Sequence, residues 1–187
     1  MPPKPKITKD MIIDAAFSIV QEDGIDKLTV RSISEHLNCS TQPVLYYFST
    51  VEDIKRAVYD KADEYHTDCI MNMENDYGNP MLSIGMNYIK FAATERNLFC
   101  FLFQSGVFSG TSLLDLIDAE ELLPLLIVLQ QLNVALDLAK EIFSIIFVFV
   151  HGYASLFANN QMVYEEEQII NVLTKVFYGA VSTVKGD

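Results

Sequence analysis

A short stretch of polar and aromatic side chains, residues 41–47, is the part of this sequence best suited to surface chemistry. Val44 and Phe48 are spaced i, i+4 and can point inward from a helix, which leaves hydroxyl, amide and phenol groups for a ligand. A glutamine amide can pair bidentately with adenine, and tyrosine hydroxyls can bond phosphates. The pattern predicts a surface that reads DNA; the alternative is an ordinary helical hairpin with exposed tyrosines.

Two short helices joined by a tight turn would position this stretch. Thr29 is a good N-cap for the first of them, and Asn38 can end it because asparagine tolerates the left-handed conformation. The next helix then starts at Ser40 or Thr41. It places Pro43 in its first turn, where a missing N–H breaks no helical bond.

A helix held in this way fits the major groove, where its N-terminal residues reach base edges. Gln42 would read adenine, and Thr41 and Pro43 would contact thymine. The start of the preceding helix would offer backbone N–H groups and the Arg31 guanidinium to a phosphate. The DNA contacts predicted from these residues are Thr29, Arg31, Ser40, Thr41, Gln42, Pro43, Tyr46 and Tyr47.

Charge is distributed unevenly along the chain. The formal net charge is −12; residues 1–60 hold seven Lys and Arg against nine Asp and Glu, a net of −2, so the remaining residues carry −10. A strongly acidic rear part keeps DNA away from itself and contributes solubility. The front part has no basic excess, so its non-specific affinity for DNA should be modest and sensitive to salt.

Sequence motifs for catalysis or for cofactor binding are missing. No GxSxG, HExxH, Walker A or GxGxxG pattern occurs, so we predict neither an enzyme nor a cofactor. Cys39, Cys69 and Cys100 are far apart and include no CxxC pair, which is typical of free thiols in a reducing cytoplasm. His66 and Cys69, at i, i+3, are weak evidence for a metal site, and none is predicted.

The most apolar run, residues 142–158, is near the lower length limit for a membrane span. It contains His151 and Gly152 and directly follows Lys140 and Glu141. A helix buried in a bundle or a dimer interface is therefore favoured over a membrane span. The first ten residues lack the apolar segment of a signal peptide, which also favours a cytoplasmic protein.

Residues 8–60 resemble the N-terminal domain of TetR-family transcriptional regulators. A first helix over 8–23 ends in the glycine turn QEDG and is followed by TVRSISEHL, NCSTQPVLYYF and the acidic-led helix VEDIKRAVYD. The resemblance implies an all-α fold: a three-helix DNA-binding head with a helix-turn-helix at 1–55, and a larger helical ligand-binding and dimerisation body at 56–187. It also implies that the fourth helix transmits ligand binding to the spacing of two heads.

Three positions depart from the family pattern. The family usually has a small residue where Asn38 stands, a tyrosine where Leu45 stands and a lysine where Val51 stands. The last departure removes a phosphate contact. Lys55, one turn further on, can partly substitute and joins the predicted DNA contacts.

The two last predicted helices, over 135–159 and 165–184, carry more apolar surface than one chain of this size would bury. A dimer through a four-helix interface would bury it, and the resemblance implies the same pair of helices. A two-fold dimer matches a pseudo-palindromic operator. The predicted interface residues are Ile146, Phe149, Tyr153, Val172, Val176, Phe177 and Ala180.

Family members usually bind a small ligand in the body. The candidate pocket residues are Tyr88, Phe91, Phe99, Phe103, Phe108 and His151, with core packing as the alternative for each. Such a lining suits an apolar or amphipathic compound. The sequence thus predicts a cytoplasmic repressor that binds a double-stranded DNA operator as a homodimer and is released by a small effector. The alternative is a divergent family member that binds a ligand or a protein and has little operator affinity.

Overall fold

The computed structural model describes residues 7–74, 76–104, 123–130, 133–160 and 162–186. These residues form α-helices and one short 3₁₀ turn, with no strand among them, so the predicted all-α class is confirmed. The described helices, numbered α1 to α9 in chain order, are Lys9–Asp23, Val30–His36, Thr41–Tyr47, Val51–Met71, Pro80–Thr94, Arg96–Gln104, Leu123–Gln130, Leu136–Asn160 and Glu166–Lys185.

The chain divides into two compact units, each with its own buried residues. Unit 1 contains described residues 7–66 and 95–104, which are α1 to α3, most of α4, and α6. Unit 2 contains the remaining described residues, which form the end of α4 together with α5, α7, α8 and α9. The predicted boundary after residue 55 separates a DNA-binding part from a ligand-binding and dimerisation part. It concerns function, not compact units, and stays a prediction.

Unit 1 is built on fully buried apolar residues at helical spacing. They are Ile12, Ala16 and Val20 on α1, Ile33 on α2, Val44 on α3, and Ile54, Val58 and Ala62 on α4. Full burial of a valine or isoleucine side chain is worth about 1.5–3 kcal/mol. These contacts hold α2 and α3 against the support helix α1.

Both ends of α1 are fixed by local signals that the sequence carries. Thr8 is the N-cap, and its hydroxyl oxygen accepts from the Met11 N–H at 3.2 Å. Gly24 ends the helix with φ +86° and donates its N–H to the Val20 carbonyl at 3.0 Å. The predicted support helix is confirmed, with Thr8 lying just outside it.

The helix α6 is fastened to the end of α1 by polar contacts. The Asn97 amide donates to the backbone carbonyls of Gln21 and Glu22, at 3.0 Å each. The Gln21 amide in turn donates to Glu95 at 2.9 Å. A helix distant in sequence therefore braces the support helix of unit 1.

Unit 2 packs α5 closely against α8 and α9. A Cβ placed on Gly85 of α5 would lie 2.9 Å from Leu173 Cδ2 and 3.4 Å from Val150 Cγ2. Leu173 is fully buried, so its end has little room to move. Glycine at this position allows the three helices to approach.

Among the described helices, α8 is the one whose length and composition would allow it to cross a membrane. Eight of its residues, from Ala139 to Ala158, are buried within unit 2. The core helix of a globular protein passes the same test of length and composition.

Candidate nucleic-acid interface

The turn between α2 and α3 is closed by backbone hydrogen bonds around one left-handed residue. Asn38 has φ +50°, as its predicted role requires. The Cys39 N–H donates to the Ser34 carbonyl at 2.9 Å, and the Asn38 N–H donates to the Glu35 carbonyl at 3.1 Å. These two bonds form a Schellman motif, so asparagine does here what glycine usually does. The departure at Asn38 therefore leaves the turn intact.

The start of α2 is fixed by a reciprocal cap. The Ser32 N–H donates to the Thr29 hydroxyl oxygen, and the Thr29 N–H donates to the Ser32 hydroxyl oxygen, at 3.0 Å each. The Ser32 hydroxyl also donates to the Lys27 carbonyl at 2.8 Å. The predicted cap is confirmed, and the Thr29 side chain serves the helix itself.

The helix α3 has one fully buried residue and a polar outer side. Val44 is fully buried, and Phe48, directly after the helix, is buried as well. Thr41, Gln42 and Tyr46 are exposed, and Tyr46 is 80% accessible. The remaining predicted contacts on this helix, Pro43 and Tyr47, are half-buried, and Ser40 is exposed in front of them.

Two aromatic rings extend the outer side of α3. The Tyr46 and Tyr47 rings meet edge to face at a centroid distance of 5.0 Å, a favourable geometry for an aromatic pair. Leu45 is 53% accessible and lies beside them. Both phenols belong to a surface whose hydroxyls can reach a polar partner such as a phosphate.

The two cations predicted to contact phosphates both have carboxylate partners. Arg31 Nε lies 2.8 Å from Glu35 Oε1, and Lys55 Nζ lies 2.7 Å from Glu52 Oε1. Arg56, also on α4, lies 3.9 Å from Asp53 Oδ1. The charge count already gives residues 1–60 no basic excess, and these carboxylate partners further reduce the positive charge that the three cations can offer to DNA.

In unit 2 the structure brings two of the predicted ligand residues together. The Tyr88 hydroxyl lies 2.9 Å from His151 Nδ1, joining α5 to α8. Burial raises the pKa of the Tyr88 phenol and lowers the pKa of the His151 imidazole. The pair is therefore neutral at pH 7 and places a polar contact between two largely apolar helices.

Aromatic rings continue from this pair along α8. The His151 ring stacks on Phe147 at 5.5 Å, and Phe147 stacks on Phe143 at 5.8 Å. Their i, i+4 spacing places them on one side of the helix. An aromatic wall next to a hydrogen-bonding pair suits an apolar ligand that carries a polar group.

The other predicted ligand residues do not join the Tyr88–His151 pair in one described site. Phe91 is buried in unit 2, whereas Phe99 and Phe103 belong to unit 1. In unit 1 the Phe103 ring meets Phe99 at 5.1 Å and His66 at 5.0 Å. Phe108 lies outside the described residues.

The predicted dimer residues fall into two groups. Ile146, Phe177 and Ala180 are buried within the chain itself, at 5% exposure or less, so they have little surface to offer a partner. The other four are half-buried or exposed: Phe149, Tyr153, Val172 and Val176.

Large apolar residues outside the predicted interface set are exposed on α8. Ile145, Val148 and Leu156 are 41%, 55% and 49% accessible. Periodicity could not set Ile145 and Val148 apart from their buried neighbours, because eight of the nine residues 142–150 are apolar. The partners of Arg31 and Lys55, by contrast, had a readable signal, since Glu35 and Glu52 stand at i+4 and i−3 from them.

Comparisons with known proteins relate the fold to solved structures. No protein-family model matches this chain, and no curated protein matches it in sequence. The chain is similar to the crystal structure of the multidrug binding protein EbrR complexed with imidazole. The match covers 93% of this chain and 95% of that chain, with a TM-score of 0.57 and 18% identity. At this identity the two proteins share a fold.

Proposed function

We propose that this chain is a ligand-responsive transcriptional regulator of the TetR type. It is a cytoplasmic homodimer that binds a pseudo-palindromic operator through α3 of each protomer and represses transcription. A small apolar or amphipathic effector binds in unit 2 and releases the DNA. Residues 1–55 act as the DNA-binding head and residues 56–187 as the ligand-binding and dimerisation body.

The observation that carries the proposal is the surface of α3. Thr41 and Gln42 are exposed in the first turn, and Val44 anchors the helix from below. The N-terminal residues of a recognition helix are the ones that reach base edges in the major groove. A glutamine at this point can pair with N6 and N7 of adenine.

Effector binding is supported by the Tyr88–His151 pair and the aromatic wall next to it. A neutral imidazole and a neutral phenol can exchange hydrogen bonds with a ligand that carries a donor or an acceptor. The similar protein EbrR is described as multidrug binding, and its structure holds imidazole. A small-molecule site on this fold therefore has a precedent.

Dimerisation is supported by the exposed apolar residues of α8 and α9. Ile145, Val148 and Leu156 lie on α8, and Val172, 37% accessible, lies on α9. A Cβ added to Gly152 or to Gly179 would have no neighbouring described atom within 4 Å, so both glycines face open space. A partner helix can approach closely at these two positions. A four-helix interface would remove this surface from water.

Selection of bound sequences from a random DNA pool tests the proposal. We expect enrichment of two inverted half-sites whose centres lie about 10–10.5 base pairs, or a multiple of that, apart. Half-sites without two-fold symmetry would overturn the dimeric arrangement. A pool that stays random at low salt would overturn operator binding altogether.

The second candidate is a family-like module that binds a ligand or a protein and has little operator affinity. The pairing of Arg31 and Lys55 with carboxylates favours it, since both cations are already partly neutralised. A gel shift with the DNA upstream of its own gene separates the two candidates. A specific band at low salt supports the regulator, and its absence supports the module.

A further inference from the structure

We infer that Glu35 and Glu52 compete with DNA phosphates for Arg31 and Lys55 and so hold down the affinity of the head for DNA. This inference rests on the proposed function. It assigns a role to two carboxylates that are not themselves DNA contacts. Each acts through the cation it pairs with.

The geometry of both pairs fits internal competition. The distances of 2.8 Å and 2.7 Å are those of charge-assisted hydrogen bonds, the kind of contact that a phosphate oxygen would make to the same nitrogen. Arg31 is 85% exposed and Glu35 is 65% exposed, so the cation is open to an incoming phosphate. Lys55 and Glu52 are 35% and 67% exposed.

Helix stability does not account for the first pair. Arg31 stands in the first turn of α2 and Glu35 in its last turn, which is the opposite of what the helix dipole favours. The order cation first and carboxylate four residues later is also the weaker orientation for such a pair. A carboxylate at residue 35 is therefore better explained by its effect on Arg31 than by its effect on α2.

The second pair differs from the first in its relation to the helix dipole. Glu52 lies in the first turn of α4, where a carboxylate is favoured, but that end already has a cap. The Thr50 hydroxyl accepts from the Asp53 N–H at 3.1 Å, and Asp53 accepts from the Thr50 N–H at 3.0 Å. Glu52 takes no part in this cap, and its carboxylate pairs with Lys55.

Exposed ion pairs of this spacing are weak, so phosphate can displace the carboxylate at a modest cost. Each variant changes one pair in both heads of the dimer. We expect Glu35→Gln or Glu52→Gln to tighten DNA binding about three- to five-fold, and the double variant to tighten it about ten-fold. The slope of log affinity against log salt should steepen by about one for each cation released.

The gain should be independent of sequence, because phosphate contacts carry no base information. Fluorescence anisotropy with the selected operator and with random duplex DNA measures both affinities. Equal factors on the two duplexes support the inference. A gain on the operator alone would contradict it, because it would mean that base readout had changed.

A double-mutant cycle separates competition at Arg31 from general repulsion of DNA by charge. In the Arg31→Ala background, Glu35→Gln should give no gain. Glu64→Gln removes an exposed negative charge from α4 and serves as the matched control. A gain that persists without Arg31, or an equal gain from Glu64→Gln, would overturn the inference.

The wild-type protein separates this inference from the proposed function. If it binds the operator and the Gln variants bind no better, the inference is wrong and the regulator stands. If wild type fails to bind and the Glu35→Gln, Glu52→Gln double variant binds, the carboxylates are the restraint. If neither binds, both the DNA-binding function and the inference are wrong.

Discussion

The helices α3 and α8 present opposite kinds of surface. In α3 one residue, Val44, is fully buried, and the outer side of the helix offers hydroxyl, amide and phenol groups. In α8 eight residues are buried, yet Ile145, Val148 and Leu156 remain exposed. A polar surface can leave and rejoin water at little cost, which suits a partner that dissociates, whereas an apolar surface favours a lasting partner.

The largest effect is expected when a charge is placed on the exposed side of α8. Val148→Asp should leave the fold intact, because the side chain is 55% exposed, but it would bury an unpaired carboxylate in the dimer. We expect the dimer dissociation constant to rise at least about 100-fold and operator binding to be lost. Light scattering measures the mass, and circular dichroism checks the helix content.

Val163→Asp is the matched control for this change. Val163 is 78% exposed and lies between α8 and α9, outside both helices. The same new charge there should leave the dimer unchanged. A Val148→Asp protein that stays dimeric at the same concentration would show that this side of α8 is not the interface.

The α3 side of the comparison is tested by Gln42→Ala. Loss of a bidentate contact to adenine should cost about 1–3 kcal/mol at the selected operator and relax the preference at that base. Gln168→Ala, an exposed glutamine in the first turns of α9, is the control. An unchanged base preference in Gln42→Ala would remove Gln42 from base reading.

A smaller effect is expected from the turn that aims α3. Asn38 has φ +50°, which alanine adopts at a cost and glycine adopts freely. Asn38→Ala should lower the free energy of unfolding by about 1 kcal/mol, and Asn38→Gly should be close to neutral. Urea unfolding measures both, with the exposed Asn171→Ala on α9 as a control expected to stay within about 0.5 kcal/mol.

The smallest predicted effect concerns His151 on α8. Burial lowers the pKa of His151 below its ordinary value of about 6.5, so below that pH the unfolded chain binds more protons than the folded chain. Stability is therefore fully present above about pH 6.5 and falls as the pH decreases from there towards the lowered pKa. Because His151 is only half-buried, solvent screening keeps the slope well below the limit of about 1.4 kcal/mol per pH unit.

Unfolding in urea at pH 7 and at pH 5.5 checks this sign. His151→Gln should lose part of the pH dependence of stability. Asn171→Ala, at an exposed residue of α9, should keep it. Equal pH dependence in wild type and His151→Gln would contradict the role of burial at His151.

Much of unit 1 could be predicted from the sequence, because its signals are local. Thr8, Thr29 and Asn38 act on groups within five residues of themselves, so residue type and spacing are enough to place the caps and the turn. The inward side of α3 followed from Val44 and Phe48. The pairing of Arg31 with Glu35 is an equally local signal, since the two residues stand at i, i+4 on one helix.

The all-α class, the caps, the left-handed turn and the polar outer side of α3 can be predicted from residue types and spacing, since each depends on contacts a few residues apart. Which apolar residues of α8 and α9 are buried depends instead on tertiary packing. Tertiary packing buries Ile146 and Phe177 and leaves Val148 exposed, although all three side chains are apolar. It also joined Tyr88 to His151, far apart in sequence. Apolar attraction has no direction, so in a helix with apolar residues on most sides, the packing partners, which include α5, α7 and α9, select the buried side.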